Sequence, residues 1–223
     1  MTCTLLAHCP ETGQLGLGVV SSLMAVTSRC CFVRAQVGAA AVQSMSDPRL
    51  GPAALDLVAS GYGPDAVIRA LSRTEENFEY RQVALVNAQG LTAVHTGRRS
   101  IGLSADAEGQ GCAVVGNRLV DRGLPAAMVS AFLKAPGQLG DRILAALRAA
   151  VAEGGTGPVR AAGLVIAEHE PWPLADLRID WTDGDPVAEL DHLWHLWRPQ
   201  MYDYLGRALD PATTAEAQAP QAR

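Results

Sequence analysis

The stretch TCTLLAHCPETGQLGLGVVSS, Thr2 to Ser22, decides how the rest of the chain is read. An apolar run, TCTLLAHC, gives way to PETGQ, whose Pro10 and Gly13 end extended structure, and LGLGVVSS resumes it. Two runs around a short Pro/Gly turn predict a β-hairpin. Several of the runs in the first forty-four residues are continuously apolar rather than alternating, which predicts strands covered on both faces. A hairpin covered on both faces belongs inside a layered protein.

The neighbouring segments extend that layer. CCFVRAQVG and AAAVQS read as two further strands. Asp47 and Pro48 then form a cap and first-turn pair ahead of a helix that runs to Gly61, and Pro64 and Asp65 open a second helix after Gly63. Strands return in RQVALVNAQG and LTAVHTG, joined at Asn87–Gly90, and in GCAVVGNRLV. Helical patterns cover 122–135 and 137–153, RAAGLVIAE and DLRIDWT complete the strands, and Asp185 and Pro186 start one last helix carrying VAELDHLWHLWRPQMYDYL. Strands at both ends with helices between them predict a single α+β domain over 1–208, with two facing sheets and helices outside each. Residues 209–223, rich in Ala, Pro, Thr and Gln, are expected to be a disordered tail.

Composition narrows the function classes. Apolar residues make up 48% of the 223, and the formal net charge is −5, which disfavours nucleic acid as a partner. No apolar run approaches the roughly eighteen residues of a transmembrane helix, so no membrane partner is expected. The chain opens without the features of a secretory signal, and Cys3, Cys9, Cys30, Cys31 and Cys112 follow no metal-ligand spacing. A cytoplasmic protein with free thiols is the expectation. His192 and His195 lie three apart beside Asp191, without the i, i+4 spacing and intervening glutamate of a helical zinc site. No metal or organic cofactor is expected.

Thr2 carries the strongest chemistry. Removal of Met1, which aminopeptidases perform readily before a residue as small as threonine, would leave a hydroxyl nucleophile and an α-amine on one residue. The amine's reference pKa of about 7.7–8.0 suits a general base near neutrality. Alternatively, Thr2 simply begins a strand. Asn117, after Gly116 at a strand end, could aim its amide at an oxyanion; equally, Gly116–Asn117 could form a turn, since both tolerate positive φ.

Ordered motifs then carry a resemblance. TLLAHCPETGQLGLGVVSS, AVQSMSDPRLGPAAL, EYRQVALVNAQG, HTG, VVGNRLV and DPVAELDHLW fall in sequence over roughly residues 2–198. This series resembles the domain of unknown function 1028 family, assigned to the N-terminal-nucleophile (Ntn) hydrolase superfamily. The resemblance implies a four-layer αββα sandwich and hydrolysis of an amide-like C–N bond in a small molecule through an acyl-enzyme. Thr2 falls on the nucleophile position, and Ser21 on the serine ending the second strand. Gln43, Tyr80, Arg81, His95 and Asn117 fall on family motifs. The expected catalytic group is therefore Thr2, Ser21 and Asn117, with Arg34, Gln43, Arg49, Arg81 and His95 as substrate contacts. Arg34 and Arg49 are candidates for a bidentate grip on a carboxylate.

Two departures stand out: Ser22 where relatives carry a basic residue, and Asp47 where Asn is usual. Lys134 is the one lysine among eighteen basic residues and lies far along the chain, so a Thr–Lys pair is not expected. A non-catalytic binding or assembly protein on the same fold is the alternative. The aromatic C-terminal helix suggests pairing into a homodimer.

Overall fold

The computed structural model describes residues 1–212. The large sheet has six strands in the order β10-β9-β2-β1-β8-β7: β1 (Thr2–His8), β2 (Leu15–Ser21), β7 (Ala105–Gly109), β8 (Cys112–Asn117), β9 (Ala161–Ala167) and β10 (Ala175–Ile179). The small sheet has four in the order β3-β4-β5-β6: β3 (Cys31–Arg34), β4 (Gly38–Ser44), β5 (Arg81–Asn87) and β6 (Thr92–Thr96). Every strand pair is antiparallel.

The sheets face one another across one apolar layer. Leu6, Leu15, Leu17, Val115 and Val165 of the large sheet meet Ala39, Ala41, Ala84 and Val86 of the small one. The alanines let the sheets approach closely, in keeping with a core poor in aromatics. The outer face of the large sheet is covered by α4 (Leu124–Lys134), α5 (Leu139–Glu153) and α6 (Pro186–Trp197). The small sheet's outer face is covered by α2 (Leu50–Ala59) and α3 (Pro64–Thr74). The expected two-sheet α+β sandwich is thus present, and the continuous apolar runs of β1 and β2 follow from cover on both faces.

The alternating glycines of LGLG on β2 have a packing cause. A Cβ on Gly18 would lie 2.3 Å from Ile143 Cγ2 of α5, so the helix rests directly on strand backbone there. At the start of α5, about one turn before Ile143, Gln138 and Asp141 form a reciprocal capping box. Asp141 also accepts from Trp194 Nε1 at 2.8 Å and Arg198 Nη1 at 3.0 Å, which docks α6 on the start of α5. The tryptophans of HLWHLW serve this docking: Trp194 is buried, and Trp197 Nε1 donates to Leu174 O at 3.0 Å.

Four local expectations need correction. Strand β7 was not anticipated, because ADAEG carries no apolar run; as an edge strand it pairs on one side only. Nor was the five-residue α1 (Val26–Cys30), which starts from Ala25 at φ 51°. The single C-terminal helix is two, α6 and α7 (Met201–Leu209), divided around Pro199, whose missing N–H cannot continue the helical ladder. Asp47 does not cap α2 as its terminal residue; the helix begins at Leu50, and Asp47 Oδ1 accepts from Arg49 N one turn earlier, at 3.0 Å. Of the tail expected over 209–223, residues 213–223 lie outside the described residues.

Candidate functional site

Side chains alternate across a strand, so Thr2, Thr4 and Leu6 share the face of β1 that looks into the gap between the sheets. Leu6 lies in the apolar middle of that gap. Toward the Thr2 end the gap turns polar, with Thr2, Thr4, Ser21, Gln43, Gln82 and Asn117 all buried. Burying six polar side chains is costly unless their hydrogen bonds are made.

They are made, mostly with one another. Thr4 Oγ1 donates to Gln43 Oε1 at 2.7 Å, and Gln43 Nε2 donates to Gln82 Oε1 and Val115 O, both at 3.1 Å. Gln82 Nε2 donates to Gly116 O at 2.8 Å. Asn117 Nδ2 donates to Gln82 Oε1 at 3.0 Å. Gln43 and Gln82 belong to the small sheet and their partners largely to the large one, so this network ties the sheets together at the Thr2 end.

Thr2 sits where three strand ends meet. It pairs in register with Ser21 of β2 on one side and Asn117 of β8 on the other. Its Oγ1 is 2.9 Å from Ser21 Oγ, and its carbonyl accepts from Gln43 Nε2 at 3.3 Å. Thr2, Ser21 and Asn117, the expected catalytic group, are therefore brought together, and Gln43 lies directly behind them.

Met1 closes the arrangement. Only 1% of its surface is exposed, and its side chain belongs to the apolar cluster on the helix side of the large sheet. Its carbonyl oxygen accepts from Ser22 N at 2.9 Å, Ser22 Oγ at 3.3 Å and Ser21 Oγ at 3.4 Å. Its amine donates to Ser22 Oγ at 3.0 Å. Burial lowers the pKa of that amine below its ordinary value, and the Arg118 charge lowers it further. With Met1 in place, Thr2 is 8% exposed.

Cys3 lies apart from the Thr2 hydroxyl. It points to the opposite face of β1, and burial pushes its thiol up to about 12, so it is not a thiolate near neutral pH. Asn117 is not a turn residue: it ends β8, and the positive φ falls on Arg118 at 52°. Ser44 has φ 71° in the corresponding place after Gln43. Backbone held in this region by residues other than glycine costs roughly 1–3 kcal/mol, so surrounding contacts must fix it. Ser44 Oγ accepts from Ile101 N, and Arg118 O accepts from Thr156 N, which supply such contacts.

The other expected contacts are spread out. Arg34 pairs with Gly38 at the far end of β4, about 17 Å along the strand from Gln43, and its guanidinium binds Asp56. His95 lies on the outer face of the small sheet, stacked on Phe78 with ring centroids 4.2 Å apart. Arg49 is exposed and holds Asp47 at 2.6 Å. Arg81 begins β5 next to Gln82 but faces away from it, donating to Met45 O and Glu75; Tyr80 accepts from Arg99. Four of the five expected substrate contacts thus make other bonds away from Thr2.

A profile described as "Family of unknown function (DUF1028)" matches residues 2–190. The chain belongs to the DUF1028 family. That match begins at Thr2 and takes in every strand described above. This DUF1028 chain is similar to the crystal structure of protein SPO2555 from Silicibacter pomeroyi, itself assigned to DUF1028. The identity is 26% over 87% of this chain and 88% of that one, with a TM-score of 0.82. It is also aligned with Anbu (ancestral beta-subunit) from Yersinia bercovieri, at 10% identity over 98% of this chain and 100% of that one. The TM-score there is 0.38, and nothing is argued from it. No curated protein matches. No helix among the described residues is long and apolar enough to cross a membrane.

Proposed function

We propose that this DUF1028 chain is a hydrolase of the Ntn type that cleaves an amide-like C–N bond of a small molecule, with Thr2 as nucleophile once Met1 has been removed. The Thr2 amine takes the proton of Thr2 Oγ as the oxygen bonds to the substrate carbonyl carbon. The negative charge passes to the carbonyl oxygen. Collapse of this intermediate breaks the C–N bond, and the leaving nitrogen takes the proton from the amine. Water then attacks the ester, the same amine relaying its proton, and the acid departs with Thr2 regenerated.

One observation carries the reading: a threonine hydroxyl held at 2.9 Å from Ser21 Oγ, beside the donors that engage the Met1 carbonyl oxygen. Ser22 N–H and the Ser21 hydroxyl already engage a carbonyl oxygen, that of Met1, and are the oxyanion donors of this reading, whereas Asn117 Nδ2 engages Gln82 Oε1. Asn117 instead acts as a positioning residue for the strand ends. Arg118 follows Asn117, the partner of Thr2 in register, and its charge favours the neutral form of the Met1 amine.

The test has two parts. Intact mass establishes whether Met1 is absent, and a screen of small amides compares the wild type with Thr2→Ala. The expected result is loss of Met1 and a fall in turnover of about a thousandfold or more in the variant. Equal turnover by both proteins defeats the proposal.

A second reading, a non-catalytic binding protein, draws on a different observation. At the opposite end of β1 a cleft of about 350 Å³ is lined by His8, Glu11, Gln89, Gln110 and Arg142, a size suited to a small polar ligand. Retained Met1 together with ligand binding unaffected by Thr2→Ala would favour it.

A further inference from the structure

Met1 occupies its place as a ligand would. Its carbonyl oxygen has three donors around it, from Ser22 N, Ser22 Oγ and Ser21 Oγ. Its four-atom side chain fills an apolar slot so closely that a Cβ on Gly155 would lie 2.5 Å from Met1 Cβ and 2.6 Å from Met1 Sδ. Gly155 is held there by a bridge to Leu119, a member of the same buried cluster. One wall of the slot is therefore bare backbone, held in place by that bridge.

The acyl group on the Thr2 nitrogen and an acyl group on Thr2 Oγ hang from the same residue. The N–Cα–Cβ–O linkage lets nitrogen and oxygen reach one carbonyl carbon through a five-membered ring. Ser21 Oγ lies 2.9 Å from Thr2 Oγ1 and 3.4 Å from the Met1 carbonyl oxygen, so the attacking oxygen and the Met1 acyl group share one neighbour at the open end of β1. Resting on the hydrolase reading above, we infer that the slot vacated by Met1 is the acyl-binding pocket, and that it selects an unbranched apolar acyl chain of about methionine length. The closest simple equivalent of the methionyl group is hexanoyl, with four carbons beyond the α-carbon replacing Cβ, Cγ, Sδ and Cε. Gly155 lies against Cβ, Cγ and Sδ of the Met1 side chain, so an acyl group branched at its β-carbon meets that wall.

The test uses the full-length protein lacking Met1 and a series of p-nitrophenyl esters: acetyl, butanoyl, hexanoyl, octanoyl and 3,3-dimethylbutanoyl. Thr2 Oγ displaces p-nitrophenolate, which is read by absorbance, and the acyl group is located by intact mass and peptide mapping. The acylation rate is expected to rise about fourfold per added methylene, or about two-hundredfold from acetyl to hexanoyl. It should fall again at octanoyl and be lower for 3,3-dimethylbutanoyl than for butanoyl. In Gly155→Ala the ratio of the hexanoyl to the acetyl rate should drop at least tenfold, with circular dichroism confirming that the variant folds. Acylation of Thr2 at similar rates by all five esters, or an unchanged ratio in Gly155→Ala, overturns the pocket while leaving the nucleophile intact. Absence of any adduct on Thr2, or Met1 retained in every preparation even after treatment with methionine aminopeptidase, overturns the pocket and the hydrolase reading together.

Discussion

Asn117 Nδ2 of the large sheet donates to Gln82 Oε1 of the small sheet at 3.0 Å, joining the two sheets beside Thr2. Gln82 also accepts from Gln43 and donates to Gly116 O. Replacing it with leucine of similar size leaves Gly116 O and Asn117 Nδ2 without their partner in a buried setting. Gln82→Leu is expected to cost about 2–4 kcal/mol, read as a lowered urea midpoint. A change below about 0.5 kcal/mol would mean that the network contributes little.

The Asp47–Arg49 pair gives a pH dependence. The hydrogen bond from Arg49 holds the Asp47 carboxyl at about 2, below its ordinary 3.8. A carboxyl whose folded pKa is depressed contributes stability that is present above the unfolded value and is lost as pH falls through the folded one. Because the Arg49 side chain is 86% exposed, solvent screening reduces the contribution to about 1 kcal/mol. Asp47→Asn should lower stability by that amount at pH 7, and the gap between the two proteins should close between pH 4 and pH 2. Urea melts across that range check it.

Gly18→Ala tests the contact of α5 with strand backbone. The added methyl meets Ile143 Cγ2 at 2.3 Å, so helix or side chain must shift, and a loss of about 1–3 kcal/mol is expected. Thermal melts of Gly18→Ala beside Gly18→Ala/Ile143→Ala locate the clash, because the second substitution makes room for the first.

The thiol of Cys3 should be silent to iodoacetamide in the native protein at pH 8, because burial keeps it protonated and out of reach. After denaturation all five cysteines, which are free, should react. Peptide mapping of the two samples distinguishes them, and native labelling of Cys3 would contradict the burial described.

Much of the layered fold is legible in the sequence because double-sided burial writes itself as continuous apolar runs, as in LGLGVVS and ALVN. What escaped was structure that burial does not write. The edge strand ADAEG pairs on one side only and carries acidic residues, and VTSRC is too short for a helical period. Within the site, motif position led to Thr2, Ser21, Gln43 and Asn117 but missed Thr4 and Gln82. Their signal was available as parity: each is a polar residue on the face that Leu6 or Ala84 and Val86 make apolar. The same parity separates His95 from the site, since its neighbour Thr96, not His95, faces Gln82. Arg34 carries no such signal, because its distance from Thr2 depends on which end of β3 meets which end of β4.

The pairing of β1 with β8 also bears on how the protein assembles. Thr2 and Asn117 face each other across that ladder although roughly 115 positions separate them in the chain. Contacts of such long sequence separation carry the largest closure entropy and tend to form late. The surroundings of Thr2 are thus completed only as the whole sheet locks. A small molecule bound at Thr2 would act as a kinetic brake, slowing the departure of β8 from β1 and with it the unfolding of the domain.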